Sequence, residues 1–510
     1  MTEAELITHL EQWVDSAAPT YLRSLPLVLL CSLDAVEAVG RQLAQTVVSR
    51  LLAVWTDIVQ QEALRVGRKC PKCGHDRVCK TRSGQPLKLR LLGVEVDLPK
   101  LYLECHHCDA KGVSIVRLLT GLSCGDSSGE LELMAGYNAA EHSYGKASRD
   151  LEVHYGKPVD RTAVRRMALV VEKEALAFAE QQRVEAIERI SGEAKTVGPE
   201  RLMLQGDGGT VRTGKLAPCE RGDAGYRKKT AKKGRARRKR VTQKRELITL
   251  DVRQPGETQA TGLDVVVPLA AEEGERERRM LALASRKGLG SNTEMIGLGD
   301  LGSRLPQSFD EAFVGYNALY SGDWKHTCNY VGAVAALLKD IDVAQWTRHM
   351  KNALWKHNAT RRDELLKQAH EHRVDELPPD CEKCPVKALD TYAHNNWKYL
   401  NAARLKAKGL EFVSARAEAQ VRDRTKARFS VPGAWREENL EGKATLRAII
   451  ADGRWSAFRT HYLQQRALKS KENFYIQAAK AVAEGRLCAA SELAAPATAN
   501  KGAITMAKAA

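Results

Sequence analysis

Residues 201–209 read Arg201-Leu-Met-Leu-Gln-Gly-Asp207-Gly-Gly, an apolar run that ends in an acidic residue followed by glycines. This pattern predicts a buried strand with Asp207 at its end. Residues 295–302, Met-Ile-Gly-Leu-Gly-Asp300-Leu-Gly, have the same form. Further strands are predicted at 245–252, 262–268 and 312–319, with a helix at 270–287. The sequence therefore predicts an α/β fold whose mixed sheet is flanked by helices.

Two aspartates at the ends of strands in one sheet suggest a particular chemistry. With a third, helix-borne carboxylate, Asp207 and Asp300 could hold two divalent cations roughly 4 Å apart, which activate water or a 3′-hydroxyl against a phosphodiester. Each aspartate alone is more often a turn former. The pair, in a chain that also has a basic segment and a cysteine-rich segment, favours phosphoryl transfer on nucleic acid.

The excess of basic residues is concentrated in one segment of the chain. The 510 residues include 80 Lys and Arg against 63 Asp and Glu, a net charge of +17 that favours a polyanionic partner. Twelve of the basic residues and no acidic residue lie in 227–245, between the strand with Asp207 and the next. We expect an arm or hairpin tip beside the metal site, which contacts DNA phosphates without reading bases. Its DNA-binding residues are Arg227, Lys228, Lys229, Lys232, Lys233, Arg235, Arg237, Arg238, Lys239 and Arg240.

The cysteine-rich segment contains two Cys-x-x-Cys knuckles, Cys70-Pro-Lys-Cys73 and Cys105-His-His-Cys108. Alternating apolar residues between them predict short strands at 87–91, 94–98 and 101–103. Four thiolates brought together by strands form a tetrahedral Zn²⁺ site, so the segment is predicted to be a zinc ribbon. Cys79, His106 and His107 are alternative ligands. The ribbon either grips DNA or only stabilises the fold.

The remaining segments are predicted to be mostly helical. Asp160 or Thr162 could cap a helix that presents Arg161, Arg165 and Arg166 near its start, either as the reading helix of a helix-turn-helix or in a plain helical bundle. The longest apolar run, residues 25–31, is too short to cross a membrane, and acidic residues follow Met1. We therefore expect an intracellular protein with reduced cysteines.

Several motifs carry a family resemblance over residues 70–462. They are Gln205-Gly-Asp207-Gly-Gly, Gly297-Leu-Gly-Asp300, Asp323-Trp-Lys-His326, Asn395-Asn-Trp-Lys-Tyr399, Gly442-Lys-Ala-Thr-Leu-Arg447 and Asp452-Gly-Arg-Trp455. The sequence resembles the bacterial insertion-sequence transposases of the Kra group, relatives of the Mutator-type transposases with an RNase H-like catalytic domain. The resemblance implies an acidic triad of Asp207, Asp300 and Glu418 that binds Mg²⁺ or Mn²⁺.

The resemblance is less complete around the third acid. Residues 414–420, Ser-Ala-Arg-Ala-Glu-Ala-Gln, lack both glycines of the family's Gly-Ser-Gly stretch, and Glu437, Glu438 and Glu441 compete with Glu418. Arg422, Arg424 and Lys426 follow as the family's basic, DNA-binding residues would. The resemblance also suggests that Asp323 and His326 support the metal site or position the cleaved strand. The plain alternative is that Asp323 caps a helix and His326 faces the sheet.

Between Asp323 and Glu418, the resemblance implies an all-helical insertion that contacts DNA ends. Cys381 and Cys384 in this region, with His370, His372 and His394, either bind a second zinc ion or are ordinary thiols. The predicted domains are a helical N-terminal domain (1–66), the zinc ribbon (67–125), a helical domain (126–195), the first part of the core (196–327), the helical insertion (328–410), the last part of the core with the catalytic helix (411–465), and a C-terminal helix with a flexible tail (466–510).

The resemblance predicts a DNA transposase in the bacterial cytoplasm, associated with the nucleoid. It would bind terminal inverted repeats in double-stranded DNA, act as a homo-oligomer, and catalyse strand cleavage and strand transfer by a two-metal mechanism. Two alternatives remain: a domesticated, non-catalytic zinc-ribbon regulator that binds DNA, and an RNase H-like nuclease specific for DNA structure.

Overall fold

The structure is a computed structural model, and the chain forms two compact units: residues 1–131, 155–157 and 463–510, and residues 132–154 and 158–462. It describes residues 68–81, 87–92, 94–98, 100–110, 112–114, 127–156, 158–191, 197–218, 238–257, 263–266, 274–302, 304–374, 384–415, 419, 427–429 and 435–483, and scattered residues before 62. The predicted domain boundaries are not tested by this division and stay predictions. No described helix is both long and apolar enough to cross a membrane.

The first unit contains two small antiparallel sheets. Strands β1 (Val78–Thr81), β4 (Leu101–Glu104) and β5 (Val113–Ser114) pair in the order β1-β4-β5. Strands β2 (Leu87–Leu91) and β3 (Val94–Leu98) form a separate hairpin. Leu101 and Leu103 of β4 are buried while Tyr102 and Glu104 are half-buried, the alternation on which the strand prediction rested.

The second unit is built on a six-stranded mixed sheet. Its strands are β6 (Arg201–Pro218), β7 (Arg238–Arg253), β8 (Leu263–Val266), β9 (Glu294–Gly299), β10 (Asn317–Gly322) and β11 (Trp435–Arg436). The order is β10-β9-β6-β7-β8, and β11 also pairs with β6. β6, β7 and β8 form an antiparallel meander, whereas β9, β10 and β11 run parallel to β6. The mixed sheet is as predicted.

Helices lie on both sides of this sheet. The α-helices along residues 127–483 are α1 (Gly129–Glu141), α2 (Tyr144–Tyr155), α3 (Arg161–Ser191), α4 (Glu275–Arg286), α5 (Leu305–Ala312), α6 (Trp324–Ala335), α7 (Val343–Trp355), α8 (Ala359–His372), α9 (Pro385–Asn395), α10 (Ala402–Ala407), α11 (Ala427–Phe429), α12 (Leu440–Ala451) and α13 (Trp455–Ala483). One buried cluster runs from Leu204 and Leu250 of the sheet through Phe309 to Trp346 and Leu389. Helices α6 to α9 therefore share the main hydrophobic core with the sheet.

Two strand predictions differ from the structure. β6 does not end at Asp207 but continues to Pro218, paired with β7 throughout. The predicted strand at 312–319 is instead the end of α5 followed by β10 at Asn317–Gly322. Pro306 lies in the first turn of α5, where it needs no hydrogen bond, and Leu305 and Phe309 bury one face of the helix. The short apolar run 312–314 did not by itself distinguish the two structures.

Candidate active site and metal centre

Three aspartates follow a row of glycines across adjacent parallel strands. Gly206 of β6 pairs with Gly299 of β9, and Gly299 pairs with Gly322 of β10. The next residues along the chain are Asp207, Asp300 and Asp323. Because the paired glycines lie side by side on parallel strands, the three aspartates lie level with one another across the sheet. In α/β proteins, ligands bind beyond the carboxyl ends of parallel strands, at the point where the connections of neighbouring strands diverge.

The glycine row permits this close approach. A Cβ on Gly299 would collide with the carbonyl oxygen of Gly206, and a Cβ on Gly322 would lie 2.5 Å from Cδ1 of Leu301. Side chains at these positions would therefore push the strand ends apart. Gly299, to which the sequence patterns assigned no role, is therefore needed for strand packing.

Asp300 lies against His326, near the start of α6. The distance between Nδ1 of His326 and Oδ1 of Asp300 is 3.8 Å, and the two side chains are 33% and 40% exposed. The backbone N–H of Gly302 donates to Oδ1 of Asp300 at 3.1 Å. The imidazole of His326 lowers the pKa of Asp300, burial opposes this, and the Gly302 N–H lowers the pKa further. Asp300 is thus held in its charged form, which a cation requires.

Asp323 has a different role, because both its oxygens accept hydrogen bonds inside the fold. It is fully buried and caps α6, accepting N–H groups from Lys325 at 2.5 Å and His326 at 3.1 Å. Its other oxygen accepts the N–H of Ser414 at 2.6 Å and the Ser414 hydroxyl. The capping alternative from the sequence fits this geometry, and the cap also positions His326 beside Asp300.

Glu246 is an acidic neighbour that sequence reasoning missed. Its carboxylate lies over Gly208, where a Cβ would collide with Oε1 of Glu246. Burial raises the pKa of Glu246, Arg276 lowers it, and the charges of Asp300 and Asp207 raise it. Glu246 is therefore within electrostatic reach of both aspartates. Only the β6–β7 register, which pairs Glu246 with Thr210, brings it there, and no local motif marks it.

The β6–β7 hairpin extends well beyond the aspartates. Pairing with β9 stops at Gly206, but pairing with β7 continues to Pro218 opposite Arg238. The eleven residues after Asp207 span about 36 Å of strand at about 3.3 Å per residue. Within the basic segment 227–245, Arg238 lies at the far end of this ribbon, whereas Arg245 pairs with Val211, four residues after Asp207. The expectation that the arm lies beside the metal site stays a prediction. The described backbone includes Arg238, Lys239 and Arg240 in β7; the other predicted arm residues lie outside the described residues.

The ribbon itself carries further basic residues, of which Lys244 belongs to the basic segment 227–245. Arg212 and Lys244 lie directly opposite each other on the paired strands, and both are exposed. Lys215 is also exposed, three residues further along β6. Like charges directly opposite on paired strands destabilise a sheet. A bound polyanion would offset this repulsion.

Glu418, Arg422, Arg424 and Lys426 lie outside the described residues, but the chain leading to them is well fixed. Glu411 accepts from Arg253 at 2.7 Å and from Gln205 at 3.1 Å. The carbonyl of Phe412 accepts the N–H of Trp324 at 3.1 Å, and Ser414 bonds Asp323. This segment is therefore attached to the same sheet edge as the aspartates.

The competing glutamates follow β11 along the chain. Arg436 of β11 pairs with Gly214, seven residues or about 23 Å of strand beyond Asp207, but Leu440 of α12 packs in one cluster with Val211 and Leu247, which brings the chain back towards Asp207. Glu438 accepts from Arg436 at 3.4 Å, and Glu441 accepts from Arg279 at 2.6 Å. Glu437, next to Arg436, begins a short 3₁₀ helix in the same region.

The four predicted zinc ligands do come together. The Sγ atoms of Cys70, Cys73, Cys105 and Cys108 all lie within 4.8 Å of one another. The Cys70 and Cys108 sulfurs are 3.6 Å apart, and those of Cys73 and Cys105 are 3.4 Å apart. This donor set could bind zinc, as predicted.

The pKa values of the four thiols, which hydrogen-bond one another, are shifted in opposite directions. Burial raises the pKa of Cys70, but backbone N–H groups and the Cys108 thiol lower it to about 6. The Ala110 N–H lowers the pKa of Cys108, yet burial and the neighbouring thiols raise it to about 12. A metal ion would replace these shared protons. The alternative ligands Cys79, His106 and His107 are not part of the group.

The suggested second zinc site is not assembled among the described residues, where the four-cysteine group is the one cluster of metal-ligating side chains found. Cys384 is buried at the start of α9, and Arg373 donates to its sulfur at 2.9 Å. His370 and His372 lie at the end of α8 and His394 at the end of α9. Cys381 lies outside the described residues.

The predicted reading helix is α3, and Asp160 caps it. Asp160 accepts N–H groups from Thr162 at 2.7 Å and Ala163 at 3.3 Å. Arg161 and Arg166 are exposed and Arg165 is half-buried. The helix continues for 31 residues and buries a long apolar face, which is typical of a helix in a domain core. Its role in DNA binding stays a prediction.

Comparisons with known proteins add little. Neither a family model nor a curated protein matches this sequence. Among solved structures, the chain is similar to the Drosophila P element transposase strand transfer complex, with 10% identity, 66% of this chain and 80% of that chain covered, and a TM-score of 0.22. A TM-score this low shows neither a shared fold nor a shared activity.

Proposed function

We propose that this chain is a DNA transposase with an RNase H-like core, which cleaves and joins DNA at Asp207, Asp300 and Glu418. The observation that carries the proposal is the pairing of Gly206 with Gly299, which brings Asp207 and Asp300 to one edge of the sheet. A meander joined through its first strand to two parallel strands supports the RNase H-like core.

Glu418 is the favoured third carboxylate because of where its segment begins. Ser414 is bonded to Asp323 at the same edge, and four residues of chain reach at most about 14 Å. Glu437 and Glu438 directly follow a strand that pairs about 23 Å from Asp207, and Glu441 accepts a hydrogen bond from Arg279. Glu246, whose pKa responds to both aspartates, is the remaining rival.

The donor atoms fit Mg²⁺ or Mn²⁺, since carboxylate oxygens are the ligands these ions prefer. Asp207, Asp300 and Glu418 would hold the ions, which when bound supply a Lewis acid to water and phosphate. His326 keeps Asp300 charged and oriented, and Asp323 holds His326 in place. The zinc ribbon would hold Zn²⁺ through its four cysteines.

DNA would run along the β6–β7 ribbon. Its exposed Arg212, Lys215 and Lys244 would contact phosphates, and the far end of the ribbon, where Arg238 pairs with Pro218, would contact DNA about 36 Å from Asp207, roughly one helical turn of DNA away. We expect the active form to be a homo-oligomer on two DNA ends, in the bacterial cytoplasm with the nucleoid.

The test uses the purified full chain, Mg²⁺, labelled DNA from both flanks of the gene and a target plasmid. We expect cleaved ends and joined products. Cleavage without joining would favour the nuclease, and binding without cleavage would favour the regulator. Asp207→Asn and Asp300→Asn should abolish cleavage and preserve binding. Asp340→Asn is the matched control, because Asp340 is exposed and asparagine tolerates its φ of 61°.

The third carboxylate is tested by comparing Glu418→Gln with Glu246→Gln in the same cleavage assay. Glu418→Gln should abolish cleavage, whereas Glu246→Gln should retain most of it. The reverse result would assign the third position to Glu246. Cleavage that survives Asp300→Asn would overturn the proposed site altogether.

A further inference from the structure

A cavity of about 440 Å³ opens between α6 and α9, in the helices that follow the sheet. Its lining residues are Tyr330, Lys387, Ala388, Thr391, Tyr392, Asn395 and Asn396. The volume lies in the range of about 300–1,000 Å³ that is typical of ligand sites. The cavity includes the first two residues of the Asn395-Asn-Trp-Lys-Tyr399 motif, to which the proposed catalytic site gives no role.

An aromatic platform forms one wall of the cavity. The rings of Tyr330 and Tyr392 stack with their centroids 4.3 Å apart and their planes at 21°. Tyr392 is buried, and its hydroxyl is 3.1 Å from the hydroxyl of Thr327. Tyr330 is 38% exposed. The inner ring is thus fixed, while the outer ring presents an aromatic surface to the cavity.

Polar groups surround this platform. Asn396 donates from its side-chain amide to the Tyr392 carbonyl at 2.9 Å, which fixes the orientation of that amide. Asn395 and Thr391 are exposed on the same side of α9, four residues apart. Lys387 adds a positive charge at the cavity wall. The ligand that these side chains would fit has a flat ring, hydrogen-bonding groups along the edge of the ring, and an attached anionic group.

The cavity lies next to the proposed catalytic site. Tyr330 is four residues after His326 on α6, so both side chains lie on one face of the helix about one turn apart. Thr327, which bonds Tyr392, directly follows His326. Burial raises the pKa of Tyr392, and the negative charges of Asp300 and Asp323 add to the rise. A DNA strand at Asp300 would pass within a nucleotide or two of the cavity.

We propose that this cavity binds a single unpaired nucleobase of the DNA strand next to the cleavage site. The base stacks on Tyr330, its edge faces the side chains of Asn395, Asn396 and Thr391, and Lys387 contacts a neighbouring phosphate. Aromatic stacking accepts any base, so the cavity holds a displaced base without selecting its sequence. The inference rests on the proposed function, because it takes the ligand to be DNA held at Asp300.

The test measures binding of the full chain to two DNA duplexes without added Mg²⁺. One duplex carries one unpaired 2-aminopurine, and the other is fully paired. The wild-type chain should bind the first about 10-fold more tightly, which corresponds to about 1.4 kcal/mol. Tyr330→Ala should remove this preference without weakening binding of the paired duplex, and Tyr330→Phe should retain it. Equal binding of both duplexes by the wild type would overturn the proposal.

Two further comparisons exclude indirect effects. Tyr316→Ala removes a half-buried tyrosine before the opposite end of β10, and it should leave the preference unchanged. Should Tyr330→Ala unfold, as judged by circular dichroism, Asn395→Ala at an exposed position should lower the preference about 3-fold. An unchanged preference in that variant would then reject the base-binding site.

Failure of this inference differs from failure of the proposed function. A chain that prefers the unpaired base through Tyr330 but never cleaves DNA with Mg²⁺ would overturn the transposase proposal and keep the cavity assignment. A chain that cleaves DNA but shows no dependence on Tyr330 would overturn the cavity assignment only.

Discussion

Replacing Asp323 with alanine tests how the sheet edge is held together. Asp323 is fully buried and accepts four hydrogen bonds: two from the first turn of α6 and two from Ser414, which is 91 residues away in the sequence. Asp342 provides a matched control. It caps α7 at an exposed position and accepts one N–H, from Gln345 at 2.9 Å.

The expected magnitude follows from these partners. Loss of a helix cap costs about 1 kcal/mol, and this is the whole effect expected for Asp342→Ala. Asp323→Ala also leaves the buried N–H and hydroxyl of Ser414 without acceptors, and each such group costs about 1–3 kcal/mol. We therefore expect Asp323→Ala to lower the free energy of unfolding by about 3–7 kcal/mol. Ser414→Ala removes only the hydroxyl and should cost about 1 kcal/mol.

The measurement is urea unfolding of the full chain followed by circular dichroism, for each variant and for the double variant of Asp323 and Ser414. The two substitutions should be strongly non-additive, because Ser414→Ala costs little once Asp323 is gone. If Asp323→Ala costs no more than Asp342→Ala, the bonds to Ser414 contribute nothing to stability. The start of the segment that leads to Glu418 would then be held by other contacts.

Three other predictions concern the rest of the fold. Lys443 and Glu172 form a buried ion pair at 2.5 Å, and burial lowers the pKa of Lys443 and raises that of Glu172. Lys443→Met should therefore lower the free energy of unfolding in urea by about 3–5 kcal/mol, and adding Glu172→Leu should restore most of that stability; additive losses from the two substitutions would contradict the prediction. Arg278 holds the pKa of Glu180 at about 2, below the ordinary value of 4.5, so the ion pair stabilises the fold above pH 4.5 and this stabilisation is lost as the pH falls towards 2. Glu180→Gln should therefore flatten the dependence of the urea midpoint on pH in that window, and an unchanged slope would argue against a contribution from Glu180. Purified protein should contain about one zinc ion per chain by elemental analysis, and Cys105→Ser should lose it; full zinc content in that variant would remove Cys105 from the site.

Local sequence patterns were sufficient for part of the site. Cysteine spacing predicted the four-cysteine group because each knuckle places two ligands within one turn. Apolar runs ending in aspartate predicted that Asp207 and Asp300 lie close together on one sheet, and both do follow paired glycines of β6 and β9, although β6 continues past Asp207. The aspartate before α6 was also recognisable as a cap. In each case, the sequence signal consists of residues only a few positions apart.

The rest depended on long-range register. The position of Glu246 follows from its pairing with Thr210, and the bond between Asp323 and Ser414 spans 91 residues. The error about the end of β6 has the same origin. A glycine after Asp207 suggested a strand end, but β7 continues to pair with β6 for eleven more residues. No local sequence pattern indicates how far along the chain two strands remain paired.

Asp207, Asp300 and Asp323 show that position alone does not determine the role of a carboxylate. All three directly follow the same row of glycines on parallel strands. Asp323 is fully buried with both oxygens occupied, so binding a cation would require breaking bonds to His326 or Ser414. Asp300 is 40% exposed and kept charged by His326. The difference in burial and hydrogen bonding makes Asp300 suited to a cation and makes Asp323 the residue that fixes its surroundings.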